Sequence, residues 1–220
     1  MREALSIDEL KQIYGRIAKH YDREHGTITL GSDQRGRLIL IQRAVSESSN
    51  VLDCGAGTGT SGILASRVVG PTGHVTFFDL SEDMLSVAKQ KARDQGILER
   101  ASFKTGDMVH LPFEDNSFDA VLSTYSLCPL YDPAKGALEM YRVVKPGGKV
   151  GIAHSVEPRN PVVKWLADAT ESIAWKFPGL SMGCRSVSVL PALEQAGAKI
   201  SFKRNIGVPL WPFLVFVVEK

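Results

Sequence analysis

From residue 50 onward, short apolar runs alternate with stretches whose apolar residues recur every three or four positions. Val51-Leu52 leads into Asp53-Cys54, and Val75-Thr76-Phe77-Phe78 ends at Asp79. Residues 101–104, 118–124 and 149–153 give three more runs of strand length and character. Between them, 63–69 and 83–93 have helical periodicity, the second with Met84, Leu85, Val87 and Ala88 on its inner face. Strands that alternate with helices imply a mostly parallel, doubly wound sheet with right-handed crossovers. Further on, 161–176 carries Val162, Leu166, Ala169 and Ile173 on one side, and 187–196 forms a helix stopped by Gly197. The last two runs, 199–202 and 214–218, have no helix between them, so they predict a hairpin with one antiparallel strand at the sheet edge. The expected fold is α/β, Rossmann-like and seven-stranded.

Two amphipathic segments precede this alternation. Ser6-Ile7-Asp8-Glu9 fits a capping box, and Leu10, Ile13, Tyr14, Ile17 and Tyr21 follow on one face. Residues 22–31 break the pattern, with His25-Gly26 as a turn, and a second helix starts at Ser32-Asp33. The chain therefore reads as one domain over 1–220. Residues 1–48 make a helical lid, 49–220 the core, and about 157–186 a substrate-side insertion rich in aromatic residues (Trp165, Trp175, Phe177).

Composition narrows the function classes. At 220 residues the chain can bury a proper core, and a formal charge of +2 makes no case for nucleic acid as a partner. Cys54, Cys128 and Cys184 are widely spaced with no C-x-x-C, which favours reduced thiols over a disulfide or a metal site. No apolar run is long enough to span a bilayer. A cytoplasmic protein is expected, one compatible with transient contact at a membrane surface.

The chemistry concentrates in the turn after the first strand, where Asp53 is followed by Gly55, Gly57 and Gly59. Glycines accept positive φ and let a ligand lie against bare backbone, and the helix beyond presents free N–H groups. A Walker-type phosphate loop is excluded, because no Lys-Ser/Thr pair follows the last glycine. The run 57–62 does satisfy G-x-G-x-x-G, so a dinucleotide remains an alternative. Asp53 argues against it, since an acid there repels a pyrophosphate but can hold an ammonium group. Each strand also ends in polar residues: Asp53, Asp79, Asp107 beyond the third strand, Thr124-Tyr125 and His154. In open parallel sheets, ligands bind at those ends.

Asp-x-Gly-x-Gly-x-Gly at 53–59 resembles the first motif of class I S-adenosylmethionine (SAM)-dependent methyltransferases. Phe78-Asp79-Leu80-Ser81, Asp107-Met108 with Leu111-Pro112-Phe113, and Lys145-Pro146-Gly147-Gly148 extend that resemblance in order over 51–152. It is closest to the quinone-biosynthesis methyltransferases and the bacterial phospholipid N-methyltransferases, whose N-terminal lid Tyr14–Asp22 also resembles. The resemblance implies SAM as cofactor, with S-adenosylhomocysteine as product. It implies that Asp79 takes the ribose hydroxyls, Asp107 the adenine amino group, and Met108 the face of the base. Gly55, Gly57, Thr58, Gly59, Leu80, Met84 and Thr124 complete the cofactor set, with Asp53 as the ammonium partner. Tyr125-Ser126-Leu127-Cys128-Pro129 departs from the quinone enzymes, which leaves the acceptor open.

No metal is expected, since no acidic cluster follows the fourth strand. The acceptor expected is a small, apolar or lipid-like molecule. His154 is the candidate general base, with Tyr21 and Tyr125 next in line, while His25, His74 and His110 read as surface or turn residues. The rival readings are a nicotinamide oxidoreductase and a non-catalytic SAM-binding protein.

Overall fold

In the computed structural model, which describes residues 4–29, 31–174 and 183–220, the strands fall on the apolar runs. They are β1 (Asn50–Cys54), β2 (His74–Asp79), β3 (Ala101–Thr105), β4 (Phe118–Thr124), β5 (Val144–Ser155), β6 (Lys199–Val208) and β7 (Trp211–Glu219). The helices are α1 (Ile7–Ile17), α2 (Tyr21–Ile28), α3 (Ser32–Ala44), α4 (Thr60–Val69), α5 (Glu82–Asp94), α6 (Pro133–Val143), α7 (Pro161–Ala174) and α8 (Leu190–Gln195).

One sheet runs in the order β3-β2-β1-β4-β5-β7-β6. Strands β1 to β5 are parallel, and β7 is antiparallel to both β5 and β6. The antiparallel strand thus sits one place in from the edge instead of at it. The reason lies in the two sequences. Val215-Phe216-Val217-Val218 is wholly buried, which suits a strand flanked on both sides. The outermost strand, β6, exposes Lys199, Lys203 and Arg204, charges that discourage edge-to-edge pairing.

Helices α3, α4 and α5 cover one face of the sheet. Leu40, Ile63 and Leu85 meet Val51, Phe77 and Leu122 there. Helices α6 and α8 cover the other face, where Met140 and Leu193 meet Leu52, Val121 and Phe216. Strand order reverses between β1 and β4, and the crevice outside their carboxyl ends is where such sheets hold ligands.

The N-terminal segment departs from expectation. The first helix stops at Ile17, and residues 22–31, read as a break, are helical through Ile28. His25, Gly26 and Thr27 are poor helix formers, so tertiary contacts hold this helix. Asp22 bonds to the loop after β1, and His25 stacks on Tyr21. Helix α3 belongs to the core layer rather than to a lid. Helix α6, started by the Asp132 cap and Pro133, went unread in the sequence. Residues 175–182, which include Trp175 and Phe177 of the expected insertion, lie outside the described residues; Trp165 is 68% exposed.

Candidate active site

A cleft lies at the carboxyl ends of β1, β2 and β4; its empty space, open solvent included, is about 780 Å³. Its floor is the turn after β1. Gly55 and Gly57 both have positive φ, and their N–H groups are both taken up by the end of β2. Gly55 donates to the Phe78 carbonyl at 2.8 Å and Gly57 to Asp79 Oδ2 at 2.7 Å. A Cβ on Gly57 would meet nothing within 4 Å, so bare backbone faces the open cleft.

Asp79 lies at the tip of β2. Its Oδ1 accepts from Ser81 N–H at 2.9 Å, and burial raises its pKa against the pull of those backbone donors. Asp107, on the far side, accepts from Val109 N–H at 2.9 Å and from the Tyr131 hydroxyl at 2.7 Å. Leu80, Met84, Met108, Thr58, Thr124, Tyr21 and Tyr125 line the same space. The sequence-selected residues are therefore largely brought together.

Three are not. Asp53 is fully buried beneath the floor. Its Oδ2 accepts from Gly62 N–H at 2.7 Å, which ties β1 to the first turn of α4. Gly59, the left-handed residue before α4, packs against Phe77 and Ala88. His154 is 1% exposed and does not line the cleft. Its Nδ1 faces the Ser155 carbonyl at 2.9 Å, its ring meets Phe216, and burial lowers its pKa. Alternation along β5 sends this side chain into the layer under α6 and α8, the opposite side from Ala153. That corrects its reading as the base.

The two tyrosines also differ from expectation. Burial raises the pKa of both, so they stay neutral phenols at ordinary pH. Tyr125 adopts φ +62° and donates to the Ser32 carbonyl at 3.3 Å, leaving its ring, not its hydroxyl, as the wall. Gly36 makes that approach feasible, since a Cβ there would lie 2.2 Å from the Tyr125 oxygen.

Sequence reading missed Arg37. It lies on α3, is 6% exposed, and lines the cleft. Its Nη1 donates to Ser61 at 2.8 Å and to Thr124 at 2.6 Å, and Asp33 Oδ2 lies 3.7 Å from Nε. A buried cation aimed at a cleft whose other charges are carboxylates is a ready partner for an anionic group. Nothing in the local sequence distinguished it from the surface charges around it. His25, read as a surface or turn residue, is buried on helix α2, whereas His110 is exposed.

Residues 3–177 match the ubiE/COQ5 methyltransferase family. The chain belongs to that family. Its cofactor is accordingly SAM, and the cleft fits it: paired carboxylates for hydroxyl and amino groups, open backbone at Gly57, and a cation for a carboxylate. The family likeness is also seen in individual relatives. A demethylmenaquinone methyltransferase of Lactobacillus johnsonii is 36% identical over 157 residues, 71% of this chain and 64% of that protein. One from Staphylococcus aureus is 37% identical over 160 residues, 72% of this chain and 65% of its own length. The chain thus spans a little under two thirds of the length of these relatives. Among solved structures, the [4+2]-cyclase SpnF superposes with a TM-score of 0.75 at 18% identity, over 99% of this chain and 98% of that one, a likeness of fold.

Proposed function

We propose that this methyltransferase-family protein moves a methyl group from SAM to a small, flat, apolar acceptor of the quinol type. The observation that carries the reading is that one cleft joins two unlike sets of residues. Asp79, Asp107 and Arg37 supply its charges, and Leu10, Tyr14, Tyr21, Tyr125, Pro129 and Leu130 give it an apolar and aromatic wall suited to an aromatic ring. The quinone precursor named for the two relatives suits that wall.

In this reading Asp79 takes the ribose hydroxyls, Asp107 the adenine amino group, and Met108 packs on the base. Arg37 takes the carboxylate of the amino-acid end. Asp53 and Gly59 act one layer out, fixing the start of α4 and the shape of the turn. Bound there, SAM supplies an electrophilic methyl group on a sulfonium. The chain's own contribution is alignment and exclusion of water, and alignment alone can supply on the order of 7–11 kcal/mol. Neutral Tyr21 and Tyr125 present ring faces and do not act as bases.

Titration calorimetry tests the assignment. Asp79→Ala is expected to weaken SAM binding roughly ten- to a hundredfold, from lost charge-assisted hydrogen bonds. Unchanged affinity in a folded variant refutes the ribose assignment. Binding of NADH in place of SAM, or SAM binding with no transfer to a water-soluble demethylmenaquinol, refutes the reading as a whole.

A further inference from the structure

Ser61 lies in the first turn of α4, is 1% exposed, and does not line the cleft. It closes a triangle with two residues that do line it, Arg37 of α3 and Thr124 at the end of β4. Arg37 Nη1 donates to Ser61 Oγ at 2.8 Å and to Thr124 Oγ1 at 2.6 Å, and the two hydroxyl oxygens lie 2.7 Å apart. Three elements distant in sequence thus meet at one buried junction on the cleft wall.

The hydrogens available fix the direction of these bonds. Nη1 carries two, and the triangle takes both. Each hydroxyl brings one, and the contact between the hydroxyls uses one of that pair. Ser61 is enclosed, and among the described residues Thr124 is its one side-chain acceptor, so its hydrogen goes to Thr124 Oγ1. The reverse order would bury the Ser61 hydrogen without a partner. Thr124 Oγ1 then accepts two bonds, from Arg37 and Ser61, and its own hydrogen is left over.

The rest of the guanidinium is constrained as well. Asp33 Oδ2 lies 3.7 Å from Nε, and the Tyr125 ring centroid lies 5.5 Å from the central carbon. Both hydrogen bonds that Arg37 donates to the described residues leave from Nη1, so Nη2 keeps its hydrogens. Arg37 and Thr124 together therefore offer donors and no spare lone pair. A wall of that kind suits an anionic oxygen and gives an ammonium group nothing to bind.

Resting on the reading that Arg37 takes the carboxylate of SAM, we propose that Ser61 is a positioning residue of that subsite. By accepting from Arg37 and donating to Thr124, it fills the lone pairs of Thr124 Oγ1 and makes Thr124 a donor to the same carboxylate. Arg37 and Thr124 touch the ligand, and Ser61 acts through them.

Calorimetry with S-adenosylhomocysteine and with its analogue lacking the α-carboxylate, S-adenosyl-3-thiopropylamine, tests this. The readout is the ratio of the two affinities, because a general loosening weakens both ligands alike. Ser61→Ala is expected to lower that ratio roughly fivefold and Thr124→Val roughly tenfold, as hydrogen bonds to a charged group are misdirected or lost. Thr124→Ser keeps the hydroxyl and should hold the ratio within about twofold of the parent's. In an Arg37→Gln background, Ser61→Ala should change the ratio no further. If Arg37→Gln collapses the ratio and Ser61→Ala keeps the parent's, the proposal is overturned while the carboxylate reading stands. A parent that binds both ligands equally refutes that reading and the proposal with it. Should Ser61→Ala fail to fold, Thr124→Val decides the matter, since the parent's ratio in that variant also overturns the proposal.

Discussion

Asp53 brings a carboxylate into the interior with only one of its oxygens engaged. Oδ2 accepts from Gly62, Oδ1 has no hydrogen-bond partner among the described residues, and burial pushes the pKa up to about 7 although Arg37 and the Gly62 N–H pull it down. An acid raised in this way keeps its proton in the folded chain at pH values where the unfolded chain has released it. Stability therefore falls as pH rises between about 4 and 7. Asp53→Asn offers the same acceptor to Gly62 without the buried charge. Thermal midpoints of this variant are expected to be flatter than the parent's across that window and higher than the parent's at pH 8; parallel curves would show that Asp53 is not the group responsible. The same residue shows what sequence conveys at this scale. Its place in the glycine motif marked it as part of the site, but not whether it faces the ligand or the layer beneath. That depends on which way a strand residue points once α4 is packed, and only the fold supplies it. Arg37 was invisible for the matching reason: it is held at the cleft by Ser61 and Thr124, both distant in sequence.

At the scale of elements, the link between α2 and the glycine turn is the one most open to test. Asp22 accepts from the Thr58 hydroxyl at 2.6 Å and the Thr60 hydroxyl at 3.2 Å, and it pairs with Lys91 of α5. Burial alone would raise the Asp22 pKa, but the hydrogen bonds from Lys91 and Thr58 bring it below the usual range. The contact thus persists at neutral pH and is lost as pH falls through the acid range. Asp22 is half exposed, so its contribution to overall stability is small, as for other solvent-screened pairs. Its effect belongs to α2 and the turn that it meets. Asp22→Ala is expected to speed SAM release several-fold and to raise amide exchange in α2, with the midpoint of the core moving by no more than about 2 °C. Equal exchange in the two proteins would mean that α2 is held by its aromatic contacts alone. Strands β1, β2 and β4, by contrast, were legible from their runs of apolar residues, because parallel strands buried on both faces are largely apolar along their length. Helix α2 was not, since its stability comes from Thr58, Lys91 and Asp33 and not from its own sequence.

For the whole molecule, the consequence of the architecture is that cofactor binding and folding are linked. The cleft is walled by the β1 turn, the tips of β2 and β4, and α1 and α3, so a ligand filling it touches several elements of the folded chain at once. Anything that binds only the folded chain stabilises it by RT ln(1 + [L]/Kd), about 2.7 kcal/mol at a hundredfold excess over Kd. For a chain of 220 residues this corresponds to a rise in midpoint of roughly 5–10 °C. SAM and S-adenosylhomocysteine are both expected to produce it, because the proposed contacts of Asp79, Asp107 and Arg37 involve the adenosyl and amino-acid groups that the two share. NADH is expected to leave the midpoint within about 1 °C, since a pyrophosphate would have to sit among Asp79, Asp107 and the buried Asp53. A shift with NADH and none with SAM would place the carboxylates of this cleft in some other role.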